Sequence, residues 1–202
     1  MTSKAVTNGR LPQPDGEGGR AAVWRRLLAA LTVASVLPAP VLARTQTPVQ
    51  TVSAVDLNRY AGTWFEVARL PNRFQQDCVA SVRATYERRA DGRLDVINRC
   101  EASGGRTIEA RGVARLVDTR SSAKLKVRFA PAALSFLPFV WGDYWIIGLA
   151  DDYGWAVVGS PDRQYLWVLA RAPGLPADRL AAALAIARNN GFDISRLVFP
   201  SF

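Results

Sequence analysis

Residues 80–100 read ASVRATYERRADGRLDVINRC, and this stretch decides the fold. Apolar and polar side chains alternate over residues 80–87 and again over residues 94–100, which is the period of a strand with one buried and one solvated face. Between the two runs, Ala90-Asp91-Gly92 has the composition of a tight turn. The stretch therefore predicts a β-hairpin.

The same alternation continues on both sides of the hairpin. A further strand begins near Gly62, and five more strand-like runs occupy residues 108–116, 125–129, 144–150, 154–159 and 165–171. Eight meandering strands bury their apolar faces either as two stacked sheets or as a closed barrel, and closure also removes the unpaired edges. We expect an all-β fold, an eight-stranded antiparallel up-and-down barrel.

Several positions on the inward faces of these strands are small, namely Ala80, Ala84, Ala110, Gly112 and Ala114. An eight-stranded barrel is about wide enough to hold one small ligand, and small lining residues leave room for it. The alternative is that large residues on facing strands fill the space. The pattern alone leaves both interpretations open.

One helix is expected after the last strand. Pro176-Ala177-Asp178 opens a stretch with apolar residues at helical spacing, and Gly191 ends it. The apolar stripe of this amphipathic helix predicts packing on the outside of the barrel. A short strand through Ile194, Leu197 and Phe199 is expected to follow.

Composition excludes several classes of site. The chain of 202 residues contains no His, which removes the commonest metal ligand, general base and haem ligand, so we expect no metal, no cofactor and no catalytic group. The formal net charge is +9, but Arg and Lys recur singly along the strands rather than in clusters. This spacing is typical of a solvated outer face, and nucleic-acid binding is not expected.

Residues 1–43 have the features of a cleaved signal peptide. Trp24-Arg25-Arg26 leads into an apolar run that is interrupted by Pro38 and Pro40 and closes on small residues at Ala43. An uncleaved membrane anchor is the alternative, although the run is short for a membrane span. We expect export to the periplasm or beyond, a flexible lead over residues 44–53, and one domain over residues 54–202.

Three segments together resemble the signature motifs of the lipocalins, in the form found in bacterial lipocalins and apolipoprotein D. Asn58 to Arg69, which contains Gly62-Thr63-Trp64, resembles the Gly-x-Trp motif that opens the barrel. Gly142-Asp143-Tyr144 is similar to the second signature, and the run from Tyr165 to Arg171 is similar to the third. The resemblance implies structural roles for Gly62, Trp64, Asp143 and Arg171, with Arg171 lying across the indole of Trp64 at the closed end.

The resemblance also implies a function without chemistry: binding, transport or storage of a small hydrophobic or amphiphilic ligand, such as a lysophospholipid or fatty acid, in the maintenance of cell-envelope lipids. Five residues are candidates for lining the pocket, because they lie on the inward face of their strands and match positions that line the cavity in similar lipocalins. They are Tyr86, Asn98, Phe129, Tyr144 and Trp167. Barrel core is the alternative role for each. Oligomeric state leaves no trace in the sequence.

Two departures from bacterial lipocalins bear on location. No lipobox Cys follows the signal-like segment, so a lipid anchor is not expected, whereas outer-membrane association remains open. The loop over residues 131–141 is unusually apolar and, by resemblance, lies at the open mouth. We expect it either to touch a membrane transiently or to cap the ligand.

Cys78 and Cys100 are the two cysteines of the chain and lie at the ends of hairpin-paired strands with inward parity. A cross-strand disulfide is therefore expected in an oxidising compartment. The competing hypothesis is a reactive thiol in an enzyme of lipocalin fold, such as a lipid isomerase. A third hypothesis, a lipocalin that binds a protein partner through its loops, is neither favoured nor opposed by any residue pattern.

Overall fold

The computed structural model describes residues 47–202, and eight strands account for most of them. The strands are β1 (Gly62–Arg69), β2 (Ala80–Arg88), β3 (Leu94–Ala102), β4 (Arg106–Leu116), β5 (Lys124–Arg128), β6 (Gly142–Leu149), β7 (Trp155–Gly159) and β8 (Leu166–Ala170). Each lies where the alternation of apolar and polar residues predicts it. The predicted turn at residues 90–92 is present, and Gly92 has a φ of +82°, which a side chain would disfavour.

The strands form a closed antiparallel barrel in sequence order, with β8 pairing back to β1. The predicted closed barrel is thereby confirmed, and no strand of the ring has an unpaired edge. The register places Asn98 opposite both Ala84 and Ala110, so these three residues share one face. Pairing between β1 and β8 shifts register between Glu66 and Ala68, which changes the side-chain alternation along β1.

A short helix covers one end of the barrel. Helix α1 (Leu57–Tyr60) begins after Asp56, whose carboxylate accepts a hydrogen bond from the backbone N–H of Asn58, and it buries Leu57 and Tyr60 against the interior. The backbone N–H of Val55 donates to Ser121 in the β4–β5 connection. This end, where β2, β4 and β6 finish, is the closed end.

Helix α2 (Ala177–Asn189) lies outside the barrel against β6 and β7, as its apolar stripe predicts. Ala183 and Ala187 are fully buried there, because small side chains let the helix approach the sheet closely. The prediction of a short strand after the helix is wrong. Residues 194–196 form a 3-10 turn, and isolated backbone bridges at Val198 and Ser201 follow it, tying the tail to Arg69 and Ala80.

The apolar residues form two layers. One lies inside the barrel around Trp64, Leu94 and Ile146, and the other lies between the outer surface of the sheet and α2, around Val157 and Phe192. The predicted signal segment, residues 1–43, lies outside the described residues. In residues 47–202 no helix is both long and apolar enough to cross a membrane.

Candidate ligand-binding site

Three tyrosines meet inside the barrel near the closed end. The hydroxyl of Tyr144 lies 2.8 Å from that of Tyr60 and 2.9 Å from that of Tyr86. Burial raises the pKa of Tyr86 to about 12 and raises the pKa values of Tyr60 and Tyr144 well above the usual range. The three hydroxyls carry three protons but share two hydrogen bonds. The cluster therefore has one O–H donor to spare, and Tyr144 is its partly exposed member.

Small residues flank a polar side chain on β3, the strand next to the one that carries Tyr86. Asn98 lies on β3 between Ala84 of β2 and Ala110 of β4, and both neighbours are partly or fully solvent-exposed although they face inward. The Oδ1 atom of Asn98 is buried and has no hydrogen-bond partner in residues 47–202. A buried amide oxygen without a donor costs free energy, so this wall favours a ligand that supplies one.

At one position of the wall, a large residue on the facing strand fills the space beside a small one, as the alternative interpretation predicts. A Cβ on Gly112 would lie 2.8 Å from the Cδ1 atom of Phe129 and 2.7 Å from the carbonyl oxygen of Arg128. Phe129 therefore fills the space that Gly112 leaves, and 45% of its surface is exposed. Beside Asn98, by contrast, the inward-facing Ala84 and Ala110 remain accessible to solvent.

A buried polar network crosses the interior toward the open end. Glu66 accepts hydrogen bonds from Arg69 Nη1 at 2.7 Å and from Gln75 Nε2 at 2.6 Å. Gln75 Oε1 in turn accepts from the indole N–H of Trp167 at 2.9 Å and from Asn72 Nδ2 at 2.8 Å. The network ties the β1–β2 loop to the barrel wall and fixes the indole of Trp167.

The charges of this network are balanced inside the barrel. Glu66 and Arg69 are both more than nine-tenths buried. Burial raises the pKa of the Glu66 carboxyl, and the hydrogen bond from Gln75 and the charge of Arg69 oppose that rise. Arg69 Nη2 points to the carbonyl oxygens of Gln75 and Cys78. Arg69 is thus committed to partners within the protein and has little positive charge to offer a ligand.

The closed end has the arrangement that the motif resemblance implies. The Cζ atom of Arg171 lies 3.8 Å from the ring centroid of the fully buried Trp64, and its guanidinium donates to the carbonyl oxygens of Thr63 and Arg59. Gly62 has a φ of +96°, and a Cβ there would lie 3.3 Å from Arg171 Nη1. Asp143 faces outward and pairs with Lys126 at 3.0 Å.

The predicted disulfide is present. Cys78 and Cys100 are bonded, with 5.5 Å between their Cα atoms, and the bond fixes the end of the β1–β2 loop to β3. Both cysteines of the sequence are used. A lipocalin-fold enzyme that acts through a free thiol would need one of them reduced.

The open mouth is rich in exposed aromatic side chains. In the loop over residues 131–141, Phe136 and Phe139 are 77% and 79% exposed, and Phe74 of the β1–β2 loop is 66% exposed. The base of the loop is held: Trp141 Nε1 donates to the carbonyl oxygen of Ser135, and the Trp141 ring lies under the guanidinium of Arg115. The loop therefore presents two phenyl rings to solvent on an anchored base.

The five predicted pocket residues all face the interior or its mouth, but they do not form one contact group. Tyr86 and Tyr144 share a hydrogen bond. Asn98 lies diagonally beside Tyr86 on the neighbouring strand but shares no hydrogen bond with it, Trp167 donates to Gln75, and Phe129 lies at the rim. Whether a ligand touches them stays a prediction.

Sequence reasoning missed the charged pair inside the barrel. Glu66 shares the inward parity of Trp64, so the alternation could have identified it. Arg69 could not have been found that way, because the register shift between Glu66 and Ala68 turns an odd-numbered side chain inward. In the part of the chain that the structure describes, no cluster of acidic or sulfur residues could hold a metal ion.

Comparison with known proteins agrees with the barrel and its motifs. A family model described as a lipocalin-like domain matches residues 55–201. This chain belongs to the lipocalin-like family. Family membership and the closed barrel together support binding and transport of a small hydrophobic ligand by this lipocalin.

Curated relatives come from bacteria, plants and animals. The chain is 36% identical over 178 residues to the outer membrane lipoprotein Blc of Escherichia coli K12, covering 86% of this chain and 96% of that protein. It is 37% identical over 151 residues to temperature-induced lipocalin-1 of Arabidopsis thaliana, covering 74% and 80%. With mouse apolipoprotein D the identity is 29% over 151 residues, covering 70% and 74%.

Solved structures agree on the fold. Insecticyanin of the tobacco hornworm Manduca sexta superposes with a TM-score of 0.60 at 18% identity, covering 76% of this lipocalin and 84% of that chain. Lobster apocrustacyanin A1 gives a TM-score of 0.57 at 18% identity, covering 76% and 90%. At this identity the likeness is evidence for the barrel alone.

Proposed function

We propose that this lipocalin binds a single-chain amphiphile, a lysophospholipid, fatty acid or similar lipid, and carries or stores it without chemical change. The observation that carries the proposal is the unpartnered Oδ1 atom of Asn98 on a wall flanked by Ala84 and Ala110. An acyl chain fits beside small residues, and a glycerol hydroxyl donates the missing hydrogen bond. Tyr86, Tyr144, Phe129 and Trp167 supply the aromatic faces of this pocket.

A fluorescence titration tests the proposal. The delipidated protein, residues 44–202, is titrated with monooleoylglycerol, and saturable quenching or a blue shift is expected because Trp167 faces the interior. Trp167→Phe should remove most of the spectral change, whereas Trp145→Phe, on the outer face against Lys124, should leave it intact. Unchanged circular dichroism spectra would show that both variants fold. No response of the native protein to any single-chain lipid would contradict the proposal.

The variant Asn98→Leu tests, in the same titration, whether Asn98 accepts a hydrogen bond from the ligand. Leucine has the branching and the number of side-chain heavy atoms of asparagine but accepts no hydrogen bond, so affinity for monooleoylglycerol should fall by about tenfold, the scale of one buried hydrogen bond. Affinity for an alkane of equal length should rise or stay the same. An equal loss for both ligands would indicate a steric effect and would argue against the assignment of Asn98.

We further propose that the loop over residues 131–141 touches a membrane surface when ligand is exchanged. Phe136 and Phe139 are exposed on an anchored loop, and phenyl rings at the mouth can enter the acyl region of a bilayer. Flotation with phosphatidylcholine vesicles checks this. Binding should be lost in the double variant Phe136→Ser/Phe139→Ser and kept in Phe199→Ser, which removes an exposed ring from the C-terminal tail. Equal flotation of all three proteins would contradict the membrane contact.

We propose export to the periplasm and a role in envelope lipid maintenance. The Cys78–Cys100 disulfide supports an oxidising compartment, and the bacterial relatives named outer membrane lipoproteins support an envelope location. Free-thiol titration of protein purified from the periplasm should find no reactive cysteine. Two reactive thiols in the native protein would contradict the disulfide and revive the enzyme hypothesis.

A further inference from the structure

A groove lies on the rim of the barrel beside the open mouth. Its volume is about 310 Å³, and it is lined by Pro71, Asn72, Arg73, Gln164, Tyr165 and Arg196. These residues come from the β1–β2 loop, the β7–β8 loop and the 3-10 turn that follows α2. Resting on the ligand-binding function proposed above, we propose that this groove binds the anionic head group of the amphiphile whose acyl chain occupies the barrel.

Two arginines carry positive charge at the groove. Arg73 and Arg196 are exposed, and within residues 47–202 neither forms an ion pair. Asp193 lowers the net charge beside Arg196, and the pKa of its carboxyl is lowered mainly by hydrogen bonds from Ser195 and to a smaller extent by the Arg196 charge. Two guanidinium groups beside a concave surface favour a phosphate or carboxylate.

The interior, by contrast, offers no such charge to a head group. Arg69, buried near the open end of the barrel, is already paired with Glu66 and hydrogen-bonded to two carbonyl oxygens. An anionic head placed beside Glu66 would meet a buried carboxylate and would lose its hydration. Electrostatics therefore favours entry of the acyl chain first, with the head left at the rim.

An aromatic path joins the groove to the interior. The Tyr165 ring, which lines the groove, stacks on the Trp167 indole with 5.9 Å between centroids and 6° between planes. Phe74 lies on the other side of Tyr165, with a centroid distance of 5.8 Å. An acyl chain leaving the groove can follow these apolar faces to Trp167, so one molecule can occupy both places.

The walls of the groove are held in place before any ligand arrives. Asn72 Oδ1 accepts from the backbone N–H of Phe74, and its Nδ2 donates to Gln75. The 3-10 turn that carries Arg196 is followed by Val198, whose backbone exchanges hydrogen bonds with Arg69. A preorganised groove loses less entropy on binding than a mobile loop would.

Matched lipids test the assignment. Oleoyl lysophosphatidic acid and monooleoylglycerol have the same acyl chain and glycerol and differ only in the anionic phosphate. Native protein should bind the anionic lipid about tenfold more tightly, the scale of two exposed charge pairs. The double variant Arg73→Gln/Arg196→Gln should lose this preference while its affinity for monooleoylglycerol is unchanged.

The control changes net charge equally at a distance. Arg120 lies in the β4–β5 connection and Arg88 at the last position of β2, both at the closed end and both exposed, so Arg88→Gln/Arg120→Gln should keep the preference. Equal binding of the two lipids to native protein would overturn the groove assignment and leave the proposed function standing. Loss of preference in the control would also overturn it, because net charge would then explain the effect. No binding of either lipid would overturn both proposals.

Inorganic phosphate distinguishes a head-group site from a site for free anions. It should neither saturate the groove at millimolar concentration nor abolish the preference for the anionic lipid. Tight binding of phosphate to native protein, lost in Arg73→Gln/Arg196→Gln without any change in lipid affinity, would overturn the head-group assignment.

Discussion

The carboxylate of Glu66 lies 2.7 Å from the guanidinium of Arg69, inside the barrel and three residues along the same strand. Burying two charges costs more than their attraction returns unless other hydrogen bonds satisfy them, and here Gln75 and two backbone carbonyls do so. The pair thereby connects the barrel wall to the β1–β2 loop. Loss of the Glu66–Arg69 pair should therefore change both the stability of the fold and the shape of the barrel mouth.

Removal of the cation should be strongly destabilising. Arg69→Met leaves Glu66 buried without a counter-charge, so the free energy of unfolding at neutral pH should fall by about 3 kcal/mol. The exposed Arg120→Met serves as the control and should change it by less than about 0.5 kcal/mol. Urea denaturation followed by circular dichroism measures both. A loss in Arg69→Met as small as in the control would show that the pair contributes little.

The pH dependence of stability should report the raised pKa of Glu66. Folded protein holds the Glu66 proton at pH values where the unfolded chain, with a carboxyl pKa near 4.5, has released it. This group therefore stabilises the fold at low pH, and that contribution is lost as pH rises from about 4.5 through the folded pKa. Glu66→Gln lacks this titration, so native protein should lose stability relative to the variant over that window. Parallel pH profiles of unfolding free energy would contradict a raised pKa.

Tyr144→Phe should disturb the tyrosine cluster more than its size suggests. It removes the oxygen that both Tyr60 and Tyr86 contact, leaving two buried hydroxyls without that partner. The free energy of unfolding should fall by about 2 kcal/mol. Tyr165→Phe, at the rim, is the matched control and should have little effect. Near-ultraviolet titration gives a second measure, because Tyr86 in native protein should ionise only at about pH 12.

Arg171 should contribute to stability without contributing to ligand affinity. Arg171→Met removes the cation-π contact to Trp64 and the hydrogen bonds to the carbonyl oxygens of Thr63 and Arg59. We expect a loss of about 2 kcal/mol in unfolding free energy, with the dissociation constant of monooleoylglycerol unchanged. A large change in affinity with unchanged stability would reverse the structural interpretation of this residue.

The disulfide should stabilise the barrel at its open end. Cys78→Ser/Cys100→Ser opens a loop of 22 residues, and on the loop-entropy estimate this costs about 3 kcal/mol. Thermal unfolding should shift equally when native protein is reduced, whereas the double variant should not respond to reductant. A reductant effect of equal size on the double variant would exclude the disulfide as the cause.

The sequence by itself determined the barrel. The period of two recurs through eight runs, the turn at residues 90–92 separates two of them, and the Gly-x-Trp and closing Arg motifs identify the contact between Trp64 and Arg171. The strands and the turn depend on local spacing and on burial of one face, which a linear pattern records directly, whereas the contact between Trp64 and Arg171 was implied by the resemblance to lipocalins.

Tertiary structure alone decided what the interior contains. The register shift in β1 turns Arg69 toward Glu66, and Gln75 reaches from a loop to join them. The backbone bridge between Val198 and Arg69 brings Arg196 to the same groove as Arg73, although 123 positions separate the two arginines in the sequence. Such contacts depend on a bulge and on backbone pairing between distant segments, and neither leaves a periodic trace in the chain.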